Sequence, residues 1–140
     1  MENKVTTIWK EDMQFETDNP SGNSMIVEAT DDHGGKNEGF SPKALMLSSL
    51  AGCTGLDVVS LFKKMRVDVD DFKIIVTANL TDEHPKHYNK VQVDYHFYGS
   101  DFNVKKIEKA VNLSVDRYCG VMEMFRQFCE LDTAIHYHEK

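Results

Sequence analysis

The sequence predicts an α+β domain. Three observations carry that assignment. One long apolar helix runs from Ser41 to about Arg66, segments on both sides of it alternate apolar and polar residues with a period of two, and a second stretch at helical spacing lies late in the chain. Strands placed before and after a buried helix, with a further helix near the end, suit an α+β architecture. With 140 residues, 41 % of them apolar, the chain has the size and the material for one domain spanning 1–140 with a real core.

The elements follow in order. "VTTIW", "MQFET" and "SMIVEA" read as short strands joined by turns such as "NPSGN", and "DDHGGKNEGFSP" is a Gly- and Asp-rich loop. Ser41 then Pro42 is a helix start, because serine caps free N–H groups and proline fits the first turn. Lys63, Lys64 and Arg66 match the negative end of the helix dipole. "FKIIVTANL" places Phe72, Ile74, Val76, Ala78 and Leu80 on one face, and "KVQVDYHFYG" does the same with Val91, Val93, Tyr95 and Phe97. Val104 to Cys129 keeps helical spacing, with Gly120 the one hint of a break. "ELDTAIHYHEK" reads as a last strand. A helix apolar on nearly every side must be covered on every side. One sheet covers one side, so a second copy of the chain is the expected cover for the other.

Charge narrows the function. A net charge of −7 without basic clusters argues against nucleic acid or an anionic membrane as partner. The polar start "MENKVTTIWKED" lacks a signal-peptide hydrophobic region. Asp57 interrupts the longest apolar run, and a membrane span needs roughly 20 largely apolar residues, so a core helix is expected. Three cysteines do not make a disulfide framework, and a reducing cytoplasmic location is expected.

Cys53 has Ser49, Leu50, Leu56 and Asp57 three and four residues away. Its neighbours Ser48, Ala51, Gly52 and Gly55 are small. Either another backbone packs there and the cysteine is a small hydrophobe, or a nucleophilic thiol has space for substrate. Cys119, in "DRYCGVMEMF", lies at the start of a final helix if the second helical region breaks. A helix N-terminus and the neighbouring Arg117 would then lower its pKa; otherwise it is another buried cysteine. Cys129 continues the apolar seam and reads as core. An ionised Asp57 beside Cys53 would raise the thiol's pKa; it can instead bond to backbone or a serine hydroxyl, or face a solvated groove or a partner subunit. His84/His87 and His136/His138 have spacings that surface histidines explain as well as a metal does, and no metal site is assigned.

Taken together, "SPKALMLSSLAGCTGLDVVSLFKK" and the later "LSVDRYCGV" resemble the OsmC/Ohr family, the osmotically inducible and organic-hydroperoxide-resistance group. Gly52, Cys53 and Asp57 fit the Gly-Cys-x-x-x-Asp pattern of its OsmC-like redox proteins. The resemblance implies an intertwined homodimer, with an antiparallel sheet packed on a long buried central helix. It implies Cys53 as the thiolate that attacks a peroxide and Cys119 as the resolving thiol. A pocket for hydrophobic hydroperoxides would lie at the dimer interface, and a dithiol reductant would reset the pair. No metal or organic cofactor is implied. Three positions depart from the pattern. The active peroxidases hold the thiolate with an N-terminal arginine, whereas the arginines here are Arg66, Arg117 and Arg126. Lys43 and Ala44 stand where the family has a glutamate, and Gly120 stands where many relatives have proline. Lys43 is about 15 Å from Cys53 along a helix rising roughly 1.5 Å per residue, and Glu38 is the candidate replacement acid. Two functional expectations follow: a thiol-dependent hydroperoxide reductase, or a protein on the same scaffold that binds a small hydrophobic ligand and keeps its thiols structural or weakly reactive. A dimer with no small-molecule role is the third.

Overall fold

Residues 1–140 are described by a computed structural model, in which the chain forms two compact units, Met1–Met46 and Leu47–Lys140. The first unit carries β1 (Thr7–Glu11), β2 (Gln14–Asp18) and β3 (Ser24–Glu28), an antiparallel sheet in sequence order. Registers Trp9↔Phe15 and Phe15↔Val27 put these apolar residues on one face, as the period of two requires. The outer part of that row is exposed, Trp9 at 63 % and Phe15 at 41 %.

The one buried residue of this unit is a carboxylate, Glu28. It accepts the backbone N–H groups of Lys36 (2.8 Å) and Glu38 (2.9 Å) and the Gln14 side-chain amide (3.1 Å). A buried acceptor satisfied by three donors fixes the course of the loop between β3 and the first helix. Glycine is required at two points of that loop. A Cβ on Gly35 would run into the Ala29 backbone, and one on Gly39 would lie 2.6 Å from the Ile26 carbonyl oxygen.

Helix α1 (Pro42–Met65) starts on proline, whose missing N–H is no loss in a first turn. Its buried residues, Leu50, Thr54, Val58 and Phe62, recur every fourth position and form a single ridge. The helix is therefore covered by its own chain along one stripe only. Leu56 stays 75 % and Val59 44 % exposed. Its most apolar window has mean hydropathy 1.6, long and apolar enough by composition to cross a bilayer, and 22 % of that window is buried. The C-terminus is closed by a Schellman turn: Arg66 takes φ +58° and the Val67 N–H bonds the Phe62 carbonyl at 2.9 Å. The Lys106 ammonium donates to the Met65 carbonyl at 2.9 Å, a cation at the negative end of the helix.

The second unit holds β4 (Asp71–Leu80), β5 (Tyr88–Gly99) and β6 (Glu130–Glu139), with β5 central. β4 and β5 pair antiparallel, whereas β5 and β6 pair parallel. The sheet is thus mixed where a wholly antiparallel one was expected. The cause is the helical crossover between β5 and β6, which returns the chain in the same direction. That crossover is three pieces where the periodicity showed one: α2 (Val104–Leu113), a π-helical turn (Ser114–Tyr118) and α3 (Gly120–Arg126). Asn103 caps α2 by accepting the Lys106 N–H at 3.2 Å. Val91, Val93, Tyr95 and Phe97 of β5 are wholly buried, in one cluster with the α1 ridge and with Ile107, Ala110, Met122 and Phe125 of α2 and α3.

The Lys36 and Glu38 N–H groups and Gln14 hold the Glu28 carboxyl below its ordinary 4.5, against an opposing push from burial. An acid whose folded pKa is depressed stabilises the fold above its unfolded pKa, and that contribution is lost as pH falls through the folded value. Melting curves should show Glu28→Gln below the parent at pH 6, and the gap should close as pH is lowered from about 4.5. A constant gap would assign the effect to shape rather than charge.

Candidate functional site

Helix α1 carries the first thiol, Cys53, half-buried and packed against the core. Its two glycines differ in their surroundings. Space beside Gly52 is open, so a Cβ there would touch nothing, whereas a Cβ on Gly55 would lie 3.2 Å from Ile74 Cδ1 of β4. Gly55 allows helix and sheet to approach, whereas no contact requires glycine at position 52.

Thr54, the next residue, is wholly buried. Its hydroxyl lies 2.8 Å from the Tyr95 hydroxyl and 2.7 Å from the Ser114 hydroxyl. Ser114, also wholly buried, donates to Asp57 Oδ2 at 2.9 Å. Each hydroxyl has one hydrogen, and a carboxylate only accepts. Ser114 spends its hydrogen on Asp57, so it accepts from Thr54, and Thr54 accepts from Tyr95. The result is one directed chain from β5 through α1 and the crossover, ending on the half-buried Asp57. Burial pushes the Tyr95 phenol up to about 12, with the charges of Cys119 and Asp57 adding to the rise, so its proton is held. On its outer side Asp57, with Ser60, Leu61, Lys64 and Tyr118, lines an open cleft of about 380 Å³.

Cys119 lies at the break in the crossover, as the N-cap of α3. Its N–H bonds the Ser114 carbonyl at 2.9 Å, and its Sγ accepts the Met122 N–H at 3.3 Å. The expected lowering of its pKa by a helix start does not prevail. Burial drives the thiol up, the Met122 N–H opposes, and the neighbouring Cys53 thiol and the Asp57 charge add to the rise, taking it to about 11. The residue is 3 % exposed, and a seven-residue helix has few aligned peptides to set against that desolvation. Cys53 is close enough to Cys119 to act on its titration, and both are free thiols.

The other candidates are placed as follows. Arg117 is exposed on the π-helical turn and makes no ion pair. Lys43 is exposed in the first turn of α1, and Glu38 is an exposed loop residue whose carboxylate accepts from Gln14 at 3.3 Å; both belong to the first unit. Asp57 takes the serine hydroxyl that was one of its expected options. Cys129 packs with the core and donates to the Tyr88 carbonyl at 3.3 Å. His136 and His138 share a sheet face with His96, whose Nδ1 is 2.8 Å from His138 Nε2, while His136 Nε2 donates to Asp94 at 2.8 Å. No three ligating side chains are arranged to hold a metal ion. Sequence reasoning missed Thr54, Tyr95 and Ser114 as site residues. The available signal was two hydroxyls, Thr54 and Ser114, at core-facing helical positions.

Comparison with known proteins agrees with the fold. The family model described as OsmC-like protein matches residues 35–134. Protein YhfA of Escherichia coli K12 is 28 % identical over 119 residues, covering 85 % of this chain and 86 % of its own. The crystal structure of a hypothetical protein from Aquifex aeolicus VF5 superposes with a TM-score of 0.86 at 26 % identity, covering 100 % of this chain and 98 % of that one. An organic hydroperoxide resistance protein OsmC from Legionella pneumophila shares the fold, with a TM-score of 0.71 at 12 % identity and 97 % of both chains covered.

A thiol raised to about 11 is ionised to the extent of roughly one part in a thousand at pH 8. Iodoacetamide labelling of the folded, reduced protein, followed by peptide mass spectrometry, should find Cys119 nearly unmodified at pH 8. Its labelling rate should climb about tenfold per pH unit toward pH 10. A plateau reached by pH 9 would contradict the burial argument.

Proposed function

The chain belongs to the OsmC-like protein family, and on that premise we propose that it is a thiol-dependent redox protein that reduces organic hydroperoxides. The observation that carries the reading is the pairing of two free thiols from distant parts of the sequence, Cys53 on α1 and Cys119 at the crossover break. In this scheme the Cys53 thiolate attacks the outer peroxide oxygen. The O–O bond breaks, the alkoxide leaves and takes a proton as alcohol, and Cys53 becomes a sulfenic acid. Cys119 then attacks that sulfur, water leaves, and a Cys53–Cys119 disulfide forms. An external dithiol returns both to thiols.

A second copy of the chain completes the proposal. The Leu56 and Val59 side of α1 and the Trp9–Phe15 row are apolar and uncovered, and exposed apolar surface of this kind marks an association site. A small hydrophobic hydroperoxide would bind where the two copies meet. One observation favours a different reading. No arginine or lysine is among the groups that shift Cys119, and Asp57 pushes it toward the thiol form. A binding protein for a small hydrophobic ligand, with weakly reactive thiols, is the alternative.

Single-turnover reaction with cumene hydroperoxide separates the two. The reduced protein should lose two hydrogens as a Cys53–Cys119 disulfide, and Cys119→Ser should stop at a Cys53 sulfenic acid that dimedone traps. Unchanged thiols at a moderate excess of peroxide would remove the peroxidase reading and leave the binding one. Sedimentation should give twice the 16.0 kDa chain mass, and Leu56→Glu, placing a charge on the uncovered side of α1, should give single chains.

A further inference from the structure

We propose that Ser114 is a positioning residue that sets the geometry of the Cys53–Cys119 pair, held in turn by Asp57; this rests on the dithiol reading above. Ser114 is wholly buried and is bonded through different atoms to Cys119 itself and to the turn of α1 that carries Cys53. Its hydroxyl is bonded to Thr54 and Asp57, one and four residues after Cys53, at 2.7 and 2.9 Å. These positions bracket the turn of α1 that begins at Cys53. Its carbonyl accepts the Cys119 N–H at 2.9 Å. The backbone of the resolving thiol is therefore tied, through a single residue, to the turn of helix that presents the other thiol.

A disulfide tolerates a narrow range of geometry, with Cβ atoms about 3.5–4.5 Å apart and a dihedral near 90°. The thiol–disulfide equilibrium of the pair measures how well the protein pre-sets that geometry. Removing the Ser114 hydroxyl cuts the tie to α1. It also leaves the Asp57 carboxylate without the serine donor and the Thr54 hydrogen without its acceptor, so the crossover loses its side-chain tie to this register.

The test is the equilibrium of the full-length protein with glutathione redox mixtures at pH 7, quenched by alkylation and read by mass spectrometry, with a melting curve for every variant. The parent should form the intramolecular Cys53–Cys119 disulfide. Ser114→Ala, if folded, should form it with an equilibrium constant about tenfold lower, which is about 30 mV for a two-electron couple. Asp57→Ala, at a half-buried position, should show a loss of the same sign. Asp57→Asn, which keeps an oxygen for the Ser114 hydrogen, should recover at least half of that loss on a logarithmic scale. A residue that only stabilises the fold would move the melting point and leave the equilibrium constant alone. Parent-like equilibrium in folded Ser114→Ala, or in Asp57→Ala should the former not fold, overturns the proposal while the dithiol reading stands. No Cys53–Cys119 disulfide in the parent overturns both.

Discussion

Three buried hydroxyls, each with one hydrogen to give, determine how the second unit fits together. Tyr95 sits on the central strand, Thr54 on the long helix and Ser114 on the crossover, and their bonds of 2.8, 2.7 and 2.9 Å end on Asp57. A buried hydroxyl left without a partner costs about 1–3 kcal/mol. Hydrophobic contact is tolerant of sliding, because one apolar surface is much like the next. A directed chain of donors is not, since sliding α1 by a residue breaks all three bonds and shifting the crossover breaks two. The apolar ridge of Leu50, Val58 and Phe62 against Val93 and Phe97 holds α1 on the sheet, and the hydroxyls fix where along the sheet it rests.

Much of this was legible in the sequence. Alternation located β4 and β5 within a residue or two of Asp71–Leu80 and Tyr88–Gly99, because a strand buried on one face writes its period directly. The long helix was legible for the same reason, with proline at its start. What alternation cannot write is partnership. Whether β6 pairs parallel or antiparallel depends on the path taken between strands, and a residue on the buried face looks the same in either case. Nor does it flag Glu28, the lone buried residue of the first unit, whose three donors are two loop amides and Gln14. Backbone donors carry no sequence signature. The site was half legible: family resemblance pointed to Cys53, Cys119 and Asp57, while Thr54 and Ser114 passed as helix positions that happened to be small and polar.

The thiols show how competing electrostatic effects are decided by magnitude. A helix start and a nearby cation both favour a thiolate, and the sequence offers both at Cys119. The helix that begins there has seven residues and the cation is solvated. Against them stands nearly complete burial, with Asp57 and a second thiol alongside. Desolvation acts on the whole charge, whereas one N–H at 3.3 Å returns part of it, so the proton stays. A protonated, enclosed Cys119 is chemically quiet toward dissolved electrophiles. In the resolving role proposed above, Cys119 would have to lose that proton before attacking the sulfur beside it.

The π-helical turn explains why that neighbour is available at all. In an α-helix the Ser114 carbonyl would receive the N–H of Tyr118, four residues on, and the fifth residue would point elsewhere. Here it receives the N–H of Cys119, five residues on, at 2.9 Å. The single extra residue rotates the chain so that the cysteine comes under Ser114. Tyr118 is turned out and left 55 % exposed. Because Ser114 is anchored to Thr54 and Asp57, the side that faces Ser114 is also the side that faces the Cys53 turn of α1. A register change of one residue, invisible in a helical pattern that still places Ser114 and Met122 inward, exchanges a tyrosine for a thiol at the point where α1 and the crossover meet.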